Sequence, residues 1–343
     1  MEYFVTGATG FMGTKLVERL VNDGHDVTAL TRSRSNASHL PDDVTVVKGD
    51  ITDKESMREP MAGVDRLFHM AAWWFIGPGP KERGRAQRIN VEGTRNVLEL
   101  MDELDIPKGV YTSTVGVYGN TDGEIVDESY RPDRPGLSVY FDTKWRAHYE
   151  VAGPMMDNGL PLVIVQPGGV YGPGDKEYGS LREGFVNWLQ GDLPMFPRRF
   201  ALPYDHVDDT VRGLLLAMES GDGGEEYIIS SESREVIEVF DIAEDLTGVS
   251  APRTVSPLWF KLLGKILTPV EWVTTPPEGF EPEAFRTFGG TEILVDNSKA
   301  KRELGIEHRT IEDGLRDYLA WEMEQLGMEG QTTPSRNAAD TVP

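Results

Sequence analysis

The chain opens Met1-Glu2-Tyr3-Phe4-Val5-Thr6-Gly7-Ala8-Thr9-Gly10-Phe11-Met12-Gly13, and this run decides the fold. Glu2 to Thr6 is short, aromatic and β-branched, the composition of a buried strand. Glycines then fall three apart. In a strand-turn-helix unit the first glycine permits the tight turn, the second lets backbone approach a pyrophosphate, and the third lets helix lie against strand. Leu16, Val17, Leu20 and Val21 follow at helical spacing. Such a helix aims its unpaired N–H groups and the positive end of its dipole at that phosphate. The expected cargo is a dinucleotide, with Gly7, Thr9, Gly10, Phe11, Met12 and Gly13 as candidate contacts.

Composition narrows the partners. The 343 residues carry 57 acids against 34 bases, a net charge of −23, which argues against nucleic acid and anionic membranes. The same acidity suits a protein kept in solution at high salt and hints at a halophilic source; the alternative is an ordinary acidic cytosolic protein. No cysteine is present, so disulfides, thiolate metal sites and a cysteine nucleophile are excluded. The six histidines show no paired ligand spacing, and no metal site is expected. Met1 leads straight into a strand with no basic n-region or cleavage site. The apolar stretch Leu258 to Val273 is broken by Lys261, Lys265, Pro269 and Glu271 and is too short to span a bilayer. The expected location is cytoplasmic.

Strands and helices then alternate. Asp26 to Thr31 reads as the second strand, and its end addresses cofactor choice. An NAD site would put an acid there to grip the ribose 2′-hydroxyl. Thr31-Arg32-Ser33-Arg34 stands instead. Arg32 could stack on adenine and pair with a 2′-phosphate, which favours NADP over NAD; the alternative is a solvated loop charge. Val44 to Lys48 is the third strand, with Asp50 and Ile51 at its C-terminal end as candidate adenine contacts and Asp53 as N-cap of a helix from Lys54. Asp65 to Met70 is the fourth, followed by Ala71 and Ala72, small enough for a cofactor to pass the backbone. Trp73-Trp74-Phe75 then opens a Gly/Pro-rich loop, either a substrate wall or a hydrophobic plug. A helix is expected from about Ile89 to Leu104, and Gly109 to Ser113 is strand five. The fold class is α/β, a doubly wound parallel sheet of the Rossmann kind.

Chemistry gathers after strand five. Tyr140 and Lys144 lie four apart and share a helix face. A phenol is a poor base at neutral pH, but a neighbouring ammonium stabilises its phenolate. Lys144 can do this while holding a nicotinamide ribose, and Thr114 can hydrogen-bond the same substrate oxygen. Together they would move a proton while the cofactor moves a hydride. Val115, Trp73, Trp74 and His206 are candidate substrate contacts, with a core or capping role as the alternative for His206.

The ordered motifs TGATGFMG, GDITD, HMAA, NVEGTRN, TSTVGVYG, YFDTK, QPGGVYGPGD and YDHVDD resemble those of the extended short-chain dehydrogenase/reductases, which include the nucleotide-sugar epimerases and dehydratases. The resemblance implies that Gly7, Gly10 and Gly13 bind pyrophosphate, that Thr114, Tyr140 and Lys144 form the catalytic triad, and that Pro167 and Val170 meet the nicotinamide. Departures narrow it. Thr114-Val115-Gly116 stands where the 4,6-dehydratases have Thr-Asp-Glu, which disfavours dehydration, and the cysteine of the GDP-fucose type is missing. Ala201-Leu202-Pro203 lacks the arginine that many nucleotide-sugar enzymes carry there, although Arg198 and Arg199 stand nearby. The chain looks most similar to the dihydroflavonol-reductase-like branch, which reduces ketones with NADPH.

The second half reads as strand six at Leu162 to Gln166, then a smaller, discontinuous C-terminal substrate lobe. Residues 1–170 and 204–230 are assigned to the dinucleotide-binding domain, 171–203 and 231–326 to the lobe, and 327–343 to a disordered tail. Leu258 to Trp272 is most simply a packed helix; capping an apolar pocket or forming a dimer face are the alternatives. The expected function is NADP(H)-dependent interconversion of a carbonyl and an alcohol by a homodimer acting on a small molecule. The alternative is a nucleotide-sugar 4-epimerase with tightly held NAD.

Overall fold

Seven parallel strands, numbered here in chain order, form the central sheet: β1 Glu2–Thr6, β2 Asp26–Thr31, β3 Thr45–Lys48, β4 Arg66–His69, β5 Gly109–Thr112, β6 Leu162–Gln166 and β7 Glu226–Ile228. Their spatial order is β7-β6-β5-β4-β1-β2-β3, the doubly wound order with the switch point between β1 and β4. The computed structural model describes residues 1–75, 82–132, 138–175, 180–273 and 282–328.

Strand alternation explains why both faces are covered. Tyr3 and Val5 join one apolar cluster with Leu16, Val17, Leu20, Val211 and Leu214. Phe4, between them, joins the opposite cluster with Met57, Leu98, Met101 and Val151. A strand that is apolar on both sides needs a helical layer on both sides, and parallel connections supply it. Helices Phe11–Asn22 and Val207–Ser220 form one layer. Glu55–Met61, Thr94–Glu103 and Gly153–Asp157 form the other. The edge left open is the one where the strands end.

A third cluster lies apart from the sheet. Phe185, Trp188, Val239, Phe240, Leu315, Tyr318 and Leu319 pack together, contributed by helices Ser180–Leu189, Val236–Thr247 and Ile311–Gln325. Arg182 is buried there against Glu322 through two hydrogen bonds of 2.8 and 2.9 Å. Three small sheets lie outside the central one. Ala201–His206 pairs with both Gly169–Tyr171 and Ser233–Glu235. Met195–Pro197 pairs with Arg253–Val255, and Ile125–Val126 with Leu294–Val295.

Several sequence expectations are corrected. The helix expected from about Ile89 to Leu104 is present but starts earlier: it runs without a break from Arg83 to Glu103, α-helical at Arg83–Ala86 and Thr94–Glu103 and π-helical at Gln87–Gly93 between them. Gly93 lets this helix pack closely on the loop after β3, since a Cβ there would meet the Ile51 side chain at 2.7 Å. Asp53 does not cap the next helix with its side chain; Lys54 occupies the cap position, and the Asp53 carbonyl accepts from Ser56 instead. Gly327 and Met328, expected to begin the tail, are ordered, with Met328 N–H on the Met323 carbonyl at 2.9 Å. The remainder of that tail, 329–343, lies outside the described residues, as do 76–81 of the Gly/Pro-rich loop.

The glycine turn takes the conformation its residues anticipate. Gly7 has φ +75°, a left-handed value, and a Cβ on it would sit 2.7 Å from the Ala71 nitrogen. A Cβ on Gly13 would overlap the Gly7 carbonyl oxygen. We therefore expect Gly13→Ala to lower stability by about 1–3 kcal/mol, the usual range for overpacking a tight contact. Urea unfolding checks this, and an unchanged midpoint would contradict the close approach.

Candidate active site

The open edge of the sheet collects the polar side chains that β1, β4 and β5 deliver. At the end of β1, helix Phe11–Asn22 begins at Gly10 with no side chain capping its first turn. Its leading N–H groups and dipole face the glycine turn, where a Cβ on Gly10 would meet only the Gly7 carbonyl oxygen, at 3.4 Å. That cradle fits a pyrophosphate. Thr9, Phe11 and Met12 are half-buried around it. At the end of β2, Arg32 is exposed, and the turn it occupies is shaped by the Thr31 hydroxyl donating to the Ser33 carbonyl at 2.9 Å. Asp50, after β3, is held by its neighbours: its Oδ1 accepts from Thr52 N–H at 2.9 Å and from the Thr52 hydroxyl at 2.8 Å. Ile51 is buried and joins the cluster beneath.

After β5 the backbone turns through Val115–Tyr118, capped by Thr114. Thr114 Oγ1 accepts from Gly116 N–H at 3.1 Å. Its side chain also lies beside the Tyr140 phenol, where its polar contact favours the phenolate. Ser113, one residue earlier, turns the other way. Its Oγ lies 2.8 Å from His148 Nδ1, whose Nε2 is 3.2 Å from Glu226 Oε2, all of them buried.

Tyr140 and Lys144 sit on helix Val139–Arg146, which Ser138 caps through a bond from Phe141 N–H at 3.1 Å. Tyr140 is 8% exposed and Lys144 2%. Burial raises the Tyr140 pKa, and the Thr114 hydrogen bond opposes this only in part. Lys144 Nζ donates to the Tyr111 hydroxyl at 2.9 Å and to the Thr112 carbonyl at 2.8 Å. Those partners are neutral, so burial pushes the ammonium pKa down to about 7. Behind Tyr111 lies His69, stacked on it at 5.4 Å and held between Thr6 Oγ1 at 2.7 Å and Thr94 Oγ1 at 3.0 Å. Burial first, and the Lys144 charge second, lower its pKa to about 3, so this imidazole is neutral.

The loop after β4 completes the wall. Trp74 packs edge-on against Tyr140 with centroids 6.0 Å apart, and Trp73 lies 6.2 Å from Phe75. Ala71 is half-buried, whereas Ala72, Trp74 and Phe75 are exposed. Val115 is buried among Val117, Tyr118 and Ile228. After β6, the Pro167 carbonyl accepts from Val115 N–H at 3.0 Å, and Val170 pairs with Asp205 in the adjoining small sheet. His206 is drawn away from the wall. Its Nδ1 accepts from Asp208 N–H at 3.3 Å, capping helix Val207–Ser220, and its Nε2 lies 3.1 Å from Asp317. The capping alternative is the one this geometry matches.

Three positioning residues escaped sequence reasoning. Asn90 Oδ1 accepts from Trp73 N–H at 2.6 Å, and its Nδ2 donates to the Trp73 carbonyl and the Thr143 hydroxyl, both at 2.9 Å. It ties the aromatic loop to the Tyr140 helix. Asp205, fully buried, accepts from Gly168 N–H and Ser231 N–H, both at 2.6 Å, and fixes the loop after β6. Glu283 Oε1 accepts from Val139 N–H at 2.7 Å, at the first residue of the Tyr140 helix. Asn90 and Asp205 lie in the motifs NVEGTRN and YDHVDD, which hinted at them; Glu283 lies in no motif.

A glycine cradle at the head of one helix and a buried Tyr-x-x-x-Lys on another, at one edge of a doubly wound sheet, define an enzyme of the short-chain dehydrogenase/reductase class. The chain belongs to the NAD dependent epimerase/dehydratase family, whose profile matches residues 3–230. It is 33% identical to a putative dihydroflavonol 4-reductase of Synechocystis sp. over 93% of this chain and 94% of that protein. It is 29% identical to sterol demethylase protein B of Methylococcus capsulatus over 95% and 99%. The crystal structure of gox2253 superposes with a TM-score of 0.79 at 30% identity, covering 95% of this chain and 99% of that one.

The depressed Lys144 pKa has a testable sign. The amine takes up a proton near pH 7 when folded but near 10.5 when unfolded, so between these values the unfolded chain binds more protons and stability rises with pH. We expect the ligand-free wild type to gain more unfolding free energy between neutral and alkaline pH than Lys144→Met, measured by urea titration. Parallel pH profiles would contradict a desolvated ammonium.

Proposed function

We propose that this enzyme is an NADP(H)-dependent oxidoreductase interconverting a ketone or aldehyde with the alcohol on an apolar substrate. The observation that carries the reading is Tyr140 and Lys144 buried on one helix face, with Lys144 Nζ on Tyr111 and the Thr112 carbonyl and Trp74 packed on the Tyr140 ring. The nicotinamide, when bound, supplies or accepts the hydride. Tyr140 gives the substrate oxygen a proton in the reductive direction and takes it back in the oxidative one. Thr114 orients that oxygen. Lys144 stabilises the phenolate left behind and reaches the ribose, a change of partner that Tyr111 and the Thr112 carbonyl permit because both are neutral.

NADP rather than NAD is proposed from Arg32, exposed at the end of β2 where an acid would repel a 2′-phosphate. An apolar substrate is proposed from exposed Trp74 and Phe75 beside Tyr140, and agrees with the sterol named for the Methylococcus relative. The segments 171–203 and 231–326 are proposed as the lobe that reads it.

Two measurements test this. Tyr140→Phe should lower kcat for carbonyl reduction by at least about a hundredfold, the lower range for a general acid, with NADP affinity nearly unchanged. Loss of binding at unchanged rate would reverse the assignment. Calorimetric titration should show tighter binding of NADP than of NAD, with the preference lost in Arg32→Asp. NAD that copurifies and cannot be stripped, with no net redox, would replace this reading with sugar epimerisation.

A further inference from the structure

Helix Pro257–Val273 presents an apolar face that no other part of the described chain covers. Leu258, Trp259, Leu262, Leu263 and Ile266 are 75, 65, 45, 43 and 61% exposed. At 100° per residue they occupy one continuous arc of about 140°. The inner face is committed elsewhere. Phe260 packs on Phe285 at 5.3 Å, and Gly264 lets helix Pro282–Phe288 approach so closely that a Cβ would lie 3.2 Å from the Pro282 carbonyl. The outer arc is therefore not a loosely placed core face; the helix already has a core face on its other side.

Charge says what the arc suits. Residues 246–270 contain no Asp or Glu, the longest acid-free run in the chain. At 57 acids in 343 residues, 25 positions would hold about four. The charged residues in this run are Arg253, Lys261 and Lys265, and both lysines are exposed along one edge of the arc. A cationic, apolar island thus interrupts a chain of net charge −23. A second copy of the chain would bring this run against itself with no carboxylate in either to neutralise the lysines. A phospholipid surface accepts both features: acyl chains take the leucines and Ile266, the indole of Trp259 sits at the interface, and the lysines reach phosphate. No helix among the described residues is long and apolar enough to cross a membrane, so the geometry is that of a helix lying on the surface.

We propose that the outer face of helix Pro257–Val273 docks the enzyme on a phospholipid bilayer surface. Insertion of apolar side chains, rather than attraction to the net charge, drives the contact, which separates it from the electrostatic adsorption that −23 excludes. The same hairpin reaches the reaction site, because helix Pro282–Phe288 supplies Glu283 to the first N–H of the Tyr140 helix.

Flotation of the full chain with vesicles of phosphatidylcholine, and of equimolar phosphatidylcholine and phosphatidylglycerol, tests this at physiological and at molar salt. We expect the protein to float with both lipids at molar salt, where its net charge is screened. Leu262→Glu with Ile266→Glu should lower partitioning by at least about tenfold while the urea midpoint stays unchanged, since both residues are exposed. Brominated acyl chains should quench tryptophan fluorescence, and Trp259→Phe should remove most of that quenching. Absence of flotation, or flotation retained in the double variant, would overturn the proposal. So would a sedimentation-measured dimer that dissociates in the double variant, which would give this face to a second copy.

Discussion

Helix Phe11–Asn22 can lie on β1 only because Gly13 carries no side chain where the Gly7 carbonyl approaches. That contact fixes the helix axis, and with it the direction of the free N–H groups at its head. Any Cβ would lever the helix away and misalign the cradle that a pyrophosphate needs. The same approach sets the distance between β1 and the loop after β4, because Gly7 also lies against Ala71. The glycine turn and the loop after β4 are thus positioned together by the missing Cβ atoms of Gly7 and Gly13.

The chemistry is positioned differently, by buried polar groups that reach over long sequence separations. Asn90 joins the loop after β4 to the Tyr140 helix, Asp205 pins the loop after β6, and Glu283 holds the helix start. Each is a side chain satisfying backbone or hydroxyl groups that would otherwise be buried without partners. Lys144 is the exception to this economy. Its neutral partners leave the ammonium poorly compensated, and burial depresses its pKa.

Function and surface meet in the hairpin after residue 256. One helix of it turns an acid-free apolar arc outward, and the other carries Glu283 inward. In a chain this acidic, such a segment is a local departure from the rule that keeps the rest in water.

Much of the fold and site is legible in the residues alone. Alternating apolar runs and glycine spacing determine the doubly wound sheet, the glycine turn and the Tyr140–Lys144 helix, because these rest on local periodicity and on backbone demands that only particular residues meet. The π-helical stretch at Gln87–Gly93 is not legible there, since a change from i+4 to i+5 hydrogen bonding inside a continuous helix leaves the apolar periodicity almost unaltered. Nor is the cap that His206 provides, which depends on φ/ψ at a strand-helix junction. The small sheets pair segments as distant as Ile125–Val126 and Leu294–Val295, too short to announce themselves. The sequence by itself determined the order of strands and helices in the sheet, the glycine turn at the head of the first helix and the shared helix face of Tyr140 and Lys144. Only the tertiary structure decided that Ser113 faces His148 while Thr114 faces Tyr140, that Glu283 reaches the Tyr140 helix, and that one apolar helix keeps its face outward, because burial and partnership are properties of packed neighbours rather than of spacing along a chain.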